Sequence, residues 1–263
     1  MPIPVYVISL PFSHARREKF CHRAARIHLQ FSFFDAIYGE NNPICNRIFS
    51  HQKRQCQFKR LLSLPEIGCY ISHIHLWKRI AYSPAIGAII LEDDADFSDE
   101  FSQLLPHLSK CDIDNILIKF DALRKKPKKD SYLCTLPGNF DIHQPRILSP
   151  RTTGYFIGKE AAIHLLNVRK NIYRPIDMDM KHWWEHNIPS LVTEPGAVYE
   201  AIDTNDSTIE ESRLVRKPTF SPLYFYRNTC YQWNLHYNAW RKDLPPVSTT
   251  KFLPSSSSSL IKS

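Results

Sequence analysis

Residues 85 to 97 read Ala-Ile-Gly-Ala-Ile-Ile-Leu-Glu-Asp-Asp-Ala-Asp-Phe, an apolar run that ends in four acids within five positions. The run is rich in β-branched residues, is short for a buried helix and follows Pro84, so we predict a strand buried on both faces. The acids then lie at the carboxyl end of the strand, where open α/β sheets bind their ligands. They are Glu92, Asp93, Asp94 and Asp96.

This acidic cluster has two interpretations. Clustered carboxylates repel one another and hard oxygen ligands favour Mg²⁺ or Mn²⁺, so the first is a divalent-metal site for a phosphate-bearing substrate. The second is a solvated acidic loop that caps the next helix, since Ser98, Asp99 and Glu100 are typical of a helix start. The cluster by itself leaves both open.

Length and composition indicate a globular protein. The chain has 263 residues, enough for one large α/β domain or two small ones, and 43% of them are hydrophobic. No apolar run approaches the length that crosses a bilayer, and the first residues lack the basic region of a signal peptide. We therefore expect a cytoplasmic protein. Its seven cysteines form no Cys-x-x-Cys pair, which favours reduced thiols over a disulfide framework.

The charge balance predicts anionic partners. There are 34 basic and 26 acidic side chains, and the net charge of +8 attracts nucleic acid, an anionic membrane surface or phosphorylated sugars. No zinc finger, Arg-Gly tract or RNA-recognition aromatic motif is present, so we do not expect nucleic acid. A peripheral membrane enzyme is the more economical interpretation, and surface lysines that serve only solubility are the alternative.

Other elements are predicted around the central strand. Short runs rich in β-branched or aromatic residues predict further strands, at 5–10, 31–34, 113–120, 147–149, 154–157, 190–192 and 197–199. A polar start with Ser13 as N-cap predicts a helix after the first strand, and apolar spacing predicts another over 159–166. No element is predicted for the irregular, basic and aromatic stretch between Tyr38 and Leu64.

A helix predicted over 64–80 carries candidate site residues. Cys69, His73 and Trp77 recur every four residues, so they share one helical face. The small residues Gly68 and Cys69 would let this helix approach another backbone closely. His73 either faces the substrate or is a hydrogen-bonded core histidine beside Trp77.

A second group of acids lies beside aromatic residues. Asp177 and Asp179 precede the stretch Lys181-His-Trp-Trp-Glu185. Sugars stack their apolar faces on aromatic rings while a carboxylate takes a hydroxyl proton, so this stretch is a candidate sugar site. Alternatively, the two acids begin a helix, where the dipole favours negative charge. Another acid, Asp121, ends the strand predicted over 113–120.

The C-terminal quarter has a different composition. Beyond about residue 200 the chain turns polar, and from residue 224 to 240 it is aromatic and basic, which suits packing, membrane contact or acceptor binding. The serine-rich end is predicted to be disordered. We therefore divide the chain into a main domain over 1–200, an extension over 201–250 that packs on it, and a disordered tail over 251–263.

Five blocks of residues occur in a characteristic order. They are Tyr6-Val-Ile-Ser-Leu10 with Arg16, Glu66-Ile-Gly-Cys69 with Ser72, His73 and Trp77, Ile90-Leu-Glu-Asp-Asp94, Gly154-Tyr155 before Ala161-Ala162, and Pro175-Ile-Asp177. Together they resemble glycosyltransferase family 25, the bacterial lipooligosaccharide galactosyl- and glucosyltransferases whose eukaryotic relatives glycosylate collagen. Departures from the family pattern are Ser9, Pro65 and Arg151-Thr-Thr153.

The resemblance implies a GT-A type fold, a Rossmann-like nucleotide-sugar-binding α/β domain with a mixed central sheet. It also implies inverting transfer of galactose or glucose from UDP-galactose or UDP-glucose to a lipooligosaccharide or lipopolysaccharide acceptor, at the inner membrane surface and with Mn²⁺ or Mg²⁺. Asp94 and Asp96 would then bind the metal. One carboxylate would be the general base, with Asp177 the first candidate and Asp179 and Asp121 behind it.

The same resemblance implies that a further set of side chains contacts the donor: Arg16, His73, Glu92, Asp93 and Tyr155. Two rival functions remain. A metal-dependent phosphohydrolase would use the same acids, although the sequence shows no second set of His and Asp ligands for it. A non-catalytic carbohydrate- or membrane-binding module would tolerate Asp94→Asn.

Overall fold

A computed structural model describes residues 1–40, 42–54, 58–121, 127–128, 131–201 and 222–254. The strands in these ranges are β1 (Val5–Ser9), β2 (Ser32–Asp35), β3 (Gly87–Glu92), β4 (Ala95–Phe97), β5 (Leu117–Lys119), β6 (Tyr132–Leu136), β7 (Phe140–His143), β8 (Gly154–Gly158), β9 (Ser190–Glu194) and β10 (Val198–Glu200). The helices are α1 (His14–Arg26), α2 (Pro43–Arg54), α3 (Leu64–Ala81), α4 (Phe101–Leu108), α5 (Lys159–Val168), α6 (Ile176–Met180), α7 (Trp183–His186) and α8 (Pro222–Arg241).

Within the described ranges, eight strands form one mixed sheet in the order β2-β1-β3-β8-β5-β9-β7-β6. Strand β3 is parallel to β1 and antiparallel to β8, and β8 is in turn antiparallel to β5. The carboxyl ends of β3 and β5 therefore lie at the same edge of the sheet. Strands β4 and β10 pair with each other in a separate two-stranded sheet.

Strand β3 is buried on both faces, as the sequence predicts. Ile89 and Leu91 belong to one apolar cluster, which also contains buried residues of α1 and α4. Ala88 and Ile90 belong to another, with residues of α3 and α5. Since side chains alternate across a strand, helices cover both faces of the sheet. This confirms the predicted α/β architecture with a mixed central sheet and is consistent with a Rossmann-like GT-A fold.

Two predicted strands differ in the structure. The strand predicted over 113–120 is reduced to β5, and residues 147–149 form a loop rather than a strand. That loop is held by the buried side chain of Lys119, whose Nζ donates a hydrogen bond to the carbonyl of Ser149. A tertiary contact therefore determines the conformation of a segment that is apolar enough to resemble a strand.

Helix α2 occupies the stretch to which no element was assigned. Its start has a recognisable signal, because Pro43 is its first residue and the Asn42 side chain accepts hydrogen bonds from the backbone N–H groups of Ile44 and Cys45. The hairpin of β6 and β7 was also missed. A register irregularity between Tyr132 and Cys134 interrupts its alternating pattern.

Helix α3 begins with a capping box. The Ser63 hydroxyl accepts from the backbone N–H of Glu66, whose carboxylate in turn accepts from the backbone N–H of Ser63. Arg60 donates to the same carboxylate at 2.6 Å. Glu66, one of the residues behind the family resemblance, thus stabilises the helix that carries Cys69 and His73.

Gly68 in α3 provides the close backbone approach that the sequence predicts. A Cβ at this position would lie 2.5 Å from the carbonyl oxygen of Ile37 and 2.9 Å from the backbone nitrogen of Gly39. We expect Gly68→Ala to destabilise the fold by about 1–3 kcal/mol, because overpacking outweighs the gain of about 1 kcal/mol in helix propensity. The test compares the melting temperature of Gly68→Ala with that of a control variant, Lys78→Ala, at an exposed position of α3. Equal melting temperatures for the two variants would contradict it.

The C-terminal part of the described chain contributes one long helix and one buried turn. Helix α8 covers most of the aromatic and basic stretch, and Thr249–Phe252 form a 3₁₀ turn whose Phe252 is buried in the core. Phe252 falls within the stretch predicted to be disordered, while residues 202–221 and 255–263 lie outside the described ranges. In the described residues, no helix has both the length and the apolar character needed to span a membrane.

Candidate active site

Three acids meet at the edge of the sheet where β3 and β5 end. Glu92 is the last residue of β3, Asp94 lies in the turn after it, and Asp121 follows β5 and is 1% exposed. Burial, together with the nearby charges of Asp94 and Asp121, raises the pKa of Glu92 to about 8. The fold therefore concentrates carboxylates at the ligand-binding edge of an α/β sheet.

Asp94 is the acid best suited to a metal ion. Its Oδ1 is buried with no hydrogen-bond partner among the described residues, and its Oδ2 accepts from Arg16 at 3.2 Å. Burial raises the pKa of Asp94 to about 6 while the Arg16 charge lowers it. The Oδ1 of Asp94 is a hard ligand of the kind that Mg²⁺ and Mn²⁺ prefer, and Glu92, whose pKa the charge of Asp94 helps to raise, offers another.

Asp93 and Arg16 lock the turn between β3 and β4. Asp93 Oδ1 lies 2.6 Å from Arg16 Nη2, and its Oδ2 accepts from the hydroxyl of Ser9 at 2.7 Å. The Asp93 carbonyl also accepts a hydrogen bond from Arg23. Ser9, which departs from the family pattern, thus links the end of β1 to this turn. Arg16 and Asp93, two of the five side chains predicted to contact the donor, thus lie beside Asp94.

The structure does not bring Asp96 to the same arginine as Asp94. Asp96 Oδ1 accepts hydrogen bonds from Arg26 Nη2 at 2.7 Å and from the backbone N–H of Phe97 at 2.8 Å. Arg26 also lies 3.6 Å from Asp99. The capping alternative is not observed either, since Glu100, the N-cap residue of α4, makes no side-chain cap hydrogen bond. Asp94 and Asp96, the two predicted metal ligands, are thus held by separate arginines of α1.

His73 and Tyr155 lie inside the protein behind the acids. Both are 0% exposed, and His73 Nδ1 lies 2.8 Å from the Tyr155 hydroxyl, which also accepts from Trp77 Nε1 at 3.0 Å. Burial lowers the pKa of His73 to about 3, so the ring is neutral. The bond at Nδ1 matches the core-histidine alternative, while Nε2 is buried with no hydrogen-bond partner among the described residues.

Cys69, His73 and Glu92 form a second group that is able to hold a metal ion. One ligand atom from each lies within 4.8 Å of the others. Burial, together with the charge of Glu92, raises the pKa of the Cys69 thiol well above its usual range, so the thiol stays protonated without a cation. Sulfur and imidazole suit Zn²⁺ better than Mg²⁺.

Lys119 is a site residue that sequence reasoning missed. It is fully buried, its Nζ lies 3.6 Å from Asp121 Oδ2, and it donates hydrogen bonds to the carbonyls of Ser149 and Arg151. The loop it holds carries Thr152, whose hydroxyl donates to Glu92 Oε1 at 2.5 Å. The sequence signal for Lys119 is a lone lysine in an otherwise apolar strand. Because lysine is rarely buried without a partner, its presence there indicates a buried charged contact.

Asp177 and Asp179 lie on α6 in different environments. Asp179 is buried and fully engaged, with Tyr70 Oη, Arg174 Nε and Arg169 Nε at 2.7, 2.7 and 2.8 Å from its carboxylate. Asp177 is half-buried in the first turn of the helix. Burial raises the pKa of Cys69 beside the acids and of Tyr231 on α8, and the charge of Asp177 adds to both shifts. The charge of Asp177 therefore acts on groups of both α3 and α8.

Glu92 gives the acidic site a pH signature. Its pKa rises from 4.5 to about 8 on folding, so its contribution to stability is complete below pH 4.5 and is lost as the pH rises through 8. We expect Glu92→Gln, in the presence of a chelator, to raise the melting temperature at pH 9 by roughly 5 °C and to flatten its pH dependence. Glu18→Gln, an exposed acid on α1, is the control. Parallel pH curves for wild type and Glu92→Gln would contradict the assignment.

A mixed α/β sheet with carboxylates at the carboxyl end of its central strand places charged side chains where α/β domains bind their ligands. Residues 2–180 match the profile of glycosyltransferase family 25, described as an LPS biosynthesis protein. The chain belongs to glycosyltransferase family 25. The matched range contains all of the site residues described above.

Individual relatives agree with this assignment. The chain is 28% identical to procollagen galactosyltransferase 1-B of Xenopus laevis over 173 residues, which are 62% of this chain and 28% of the relative. It is 27% identical over 220 residues to a Haemophilus influenzae protein named "Putative glycosyltransferase", covering 79% of this chain and 74% of that protein. The chain thus spans little more than a quarter of the frog protein's length.

Proposed function

We propose that this chain is an inverting hexosyltransferase that uses UDP-galactose or UDP-glucose and glycosylates a lipooligosaccharide or lipopolysaccharide acceptor. The observation that carries the proposal is the buried Oδ1 of Asp94, which has no hydrogen-bond partner among the described residues and lies just after Glu92 at the carboxyl end of β3. The family profile, with its description as an LPS biosynthesis protein, and the galactosyltransferase name of the frog relative support the choice of reaction.

The described residues divide the chemistry among them. Asp94, Glu92 and Asp121 would hold Mn²⁺ or Mg²⁺, which would supply Lewis-acid stabilisation of the diphosphate leaving group. Arg16, 2.6 Å from Asp93 and 3.2 Å from Asp94, adds a fixed positive charge beside the position assigned to the diphosphate. Lys119 and Thr152 orient Asp121 and Glu92.

Proton removal is assigned to Asp177. In an inverting transfer, the acceptor oxygen bonds to the anomeric carbon as the bond to the diphosphate breaks, and the hydroxyl proton passes to a carboxylate. Asp177 is half-buried, whereas Asp179 is held by two arginines and a tyrosine. An acid held in this way has no free approach for a hydroxyl.

Peripheral contact with the inner membrane is part of the proposal. Phe225, Trp233 and Trp240 on α8 are 74%, 65% and 78% exposed, and aromatic side chains favour the membrane interface. Co-sedimentation with vesicles that contain anionic lipid tests this contact. Binding that is equal for wild type and a Trp233→Ser, Trp240→Ser double variant would contradict it.

The reaction is tested by incubating the chain with Mn²⁺, one UDP-sugar and truncated lipooligosaccharide. We expect UDP release that requires the acceptor, together with a gain of one hexose in the acceptor's mass spectrum. Release of UMP or inorganic phosphate without acceptor would instead indicate a phosphohydrolase. Donor or acceptor binding without any turnover would indicate a binding module.

A further inference from the structure

A pocket of about 500 Å³ lies between α8 and the segments around α6 and α7. Tyr226 and Tyr231 line it from α8, and Phe58 and Tyr173 line it from other segments. The rings of Phe58 and Tyr231 meet edge to face with their centroids 5.2 Å apart, while Tyr226 is 66% exposed. Aromatic walls with an open rim suit a ring-shaped ligand that has apolar faces.

The charged side chains of this pocket are mostly cationic. In the described part of the chain, Lys59, Arg174 and Arg227 line it together with one carboxylate, that of Glu185. That carboxylate is already paired with Arg174 and with Arg169, which lies 2.9 Å away. His182 also lines the pocket. Burial lowers the pKa of its ring, so His182 adds no charge at neutral pH. The pocket therefore favours an anionic ligand.

The pocket adjoins the residue assigned as general base. The hydroxyl of Tyr231 lies 3.8 Å from the sulfur of Met178, the neighbour of Asp177 on α6. The charge of Asp177 also contributes to the raised pKa of Tyr231. A saccharide in the pocket would thus place a hydroxyl of the same or the next sugar near Asp177.

We propose that this pocket is the acceptor subsite and that it takes an anionic saccharide unit, a sugar that carries a phosphate or a carboxylate. The sugar face contacts the exposed ring of Tyr226, and the anion lies between Lys59 and Arg227. The assignment of the bound sugar as acceptor rests on the proposed transferase function, but its binding does not require turnover.

The test is an NMR-detected titration of the full chain, without UDP-sugar, with galactose 6-phosphate, galacturonate, methyl galactoside and inorganic phosphate. We expect one anionic sugar to bind at least about tenfold more tightly than methyl galactoside or inorganic phosphate, and the tighter of the two identifies the anion. A Lys59→Met, Arg227→Gln double variant should lose about tenfold in affinity for that sugar. Tyr226→Ala should weaken sugar binding but leave inorganic phosphate unchanged.

The controls are Arg241→Gln, another arginine of α8 outside the pocket, and Tyr82→Ala, a tyrosine that is 91% exposed. Both should bind the sugars like wild type, and melting temperatures establish that each variant folds. Any of four results would overturn the proposal: no probe binds, methyl galactoside binds as tightly as the anionic sugars, inorganic phosphate does so, or the double variant keeps full affinity. Failure of UDP-sugar binding, measured separately, would overturn the transferase function and not this pocket.

Discussion

Asp94→Asn is expected to lower the rate of hexose transfer by about 10³-fold, because several kcal/mol of charge stabilisation at the leaving group depend on the cation that this carboxylate holds. Asparagine keeps the shape of the side chain but removes the charge from the buried Oδ1, which has no other partner among the described residues. The rate is measured as acceptor-dependent UDP release at saturating Mn²⁺. The fold should persist, since the loss of one of two carboxylates beside Arg16 leaves its contact with Asp93.

Asp96→Asn is the matched control for this loss. Asp96 is the other acid predicted to bind the metal. It is held by Arg26 at the C-terminal end of α1, whereas Arg16, which contacts Asp94, lies near the start of that helix. We expect its transfer rate to stay within a fewfold of wild type. If Asp96→Asn lost activity as Asp94→Asn does, both acids would bind the metal. If neither variant lost activity, the cation would lie elsewhere, and Cys69→Ser would then test the group formed with His73 and Glu92.

Asp177→Asn is expected to lower transfer by about 10²–10⁴-fold, the usual contribution of a general base, while UDP-sugar binding stays unchanged. The amide cannot accept the hydroxyl proton but has the same shape. Rates are measured with saturating acceptor, and donor affinity is measured without it. Loss of donor binding in this variant would contradict the assignment, and so would transfer at the normal rate.

Asp179→Asn should instead lower the stability of the fold and leave catalysis nearly intact. Its carboxylate contacts Arg169, Arg174 and Tyr70 in the interior, and breaking a buried ion pair costs about 3–5 kcal/mol. The expected result is a melting temperature lower by roughly 10 °C with near-normal activity per folded molecule. A stable but inactive Asp179→Asn would instead identify Asp179 as the base.

The elements predicted from sequence are those whose patterns are local. Strand β3 is apolar because both of its faces are buried, and α3 begins with a capping box and carries a glycine where two backbones meet. The acids at the end of β3 could be located from these same patterns. Helix α2 was missed although Asn42 and Pro43 mark its start, because basic and aromatic residues obscure the apolar spacing that follows.

The partners of the site residues could not be predicted, since they come from distant parts of the chain. Arg26 reaches Asp96, and Lys119 reaches the loop that positions Thr152 on Glu92. No spacing in the sequence indicates that Phe58 will meet Tyr231 across a pocket. The choice between Asp177 and Asp179 depends on the arginines that surround Asp179, which only the fold brings there.

The most direct measurement is calorimetric titration of UDP-galactose and UDP-glucose into the chain, with Mn²⁺ and with a chelator. For wild type and Asp96→Asn we expect Mn²⁺ to tighten the binding of one UDP-sugar by tenfold or more. For Asp94→Asn we expect no effect of Mn²⁺. Donor binding that is equally tight in chelator, or an undiminished Mn²⁺ effect in Asp94→Asn, would contradict a nucleotide-sugar metal site at the end of β3.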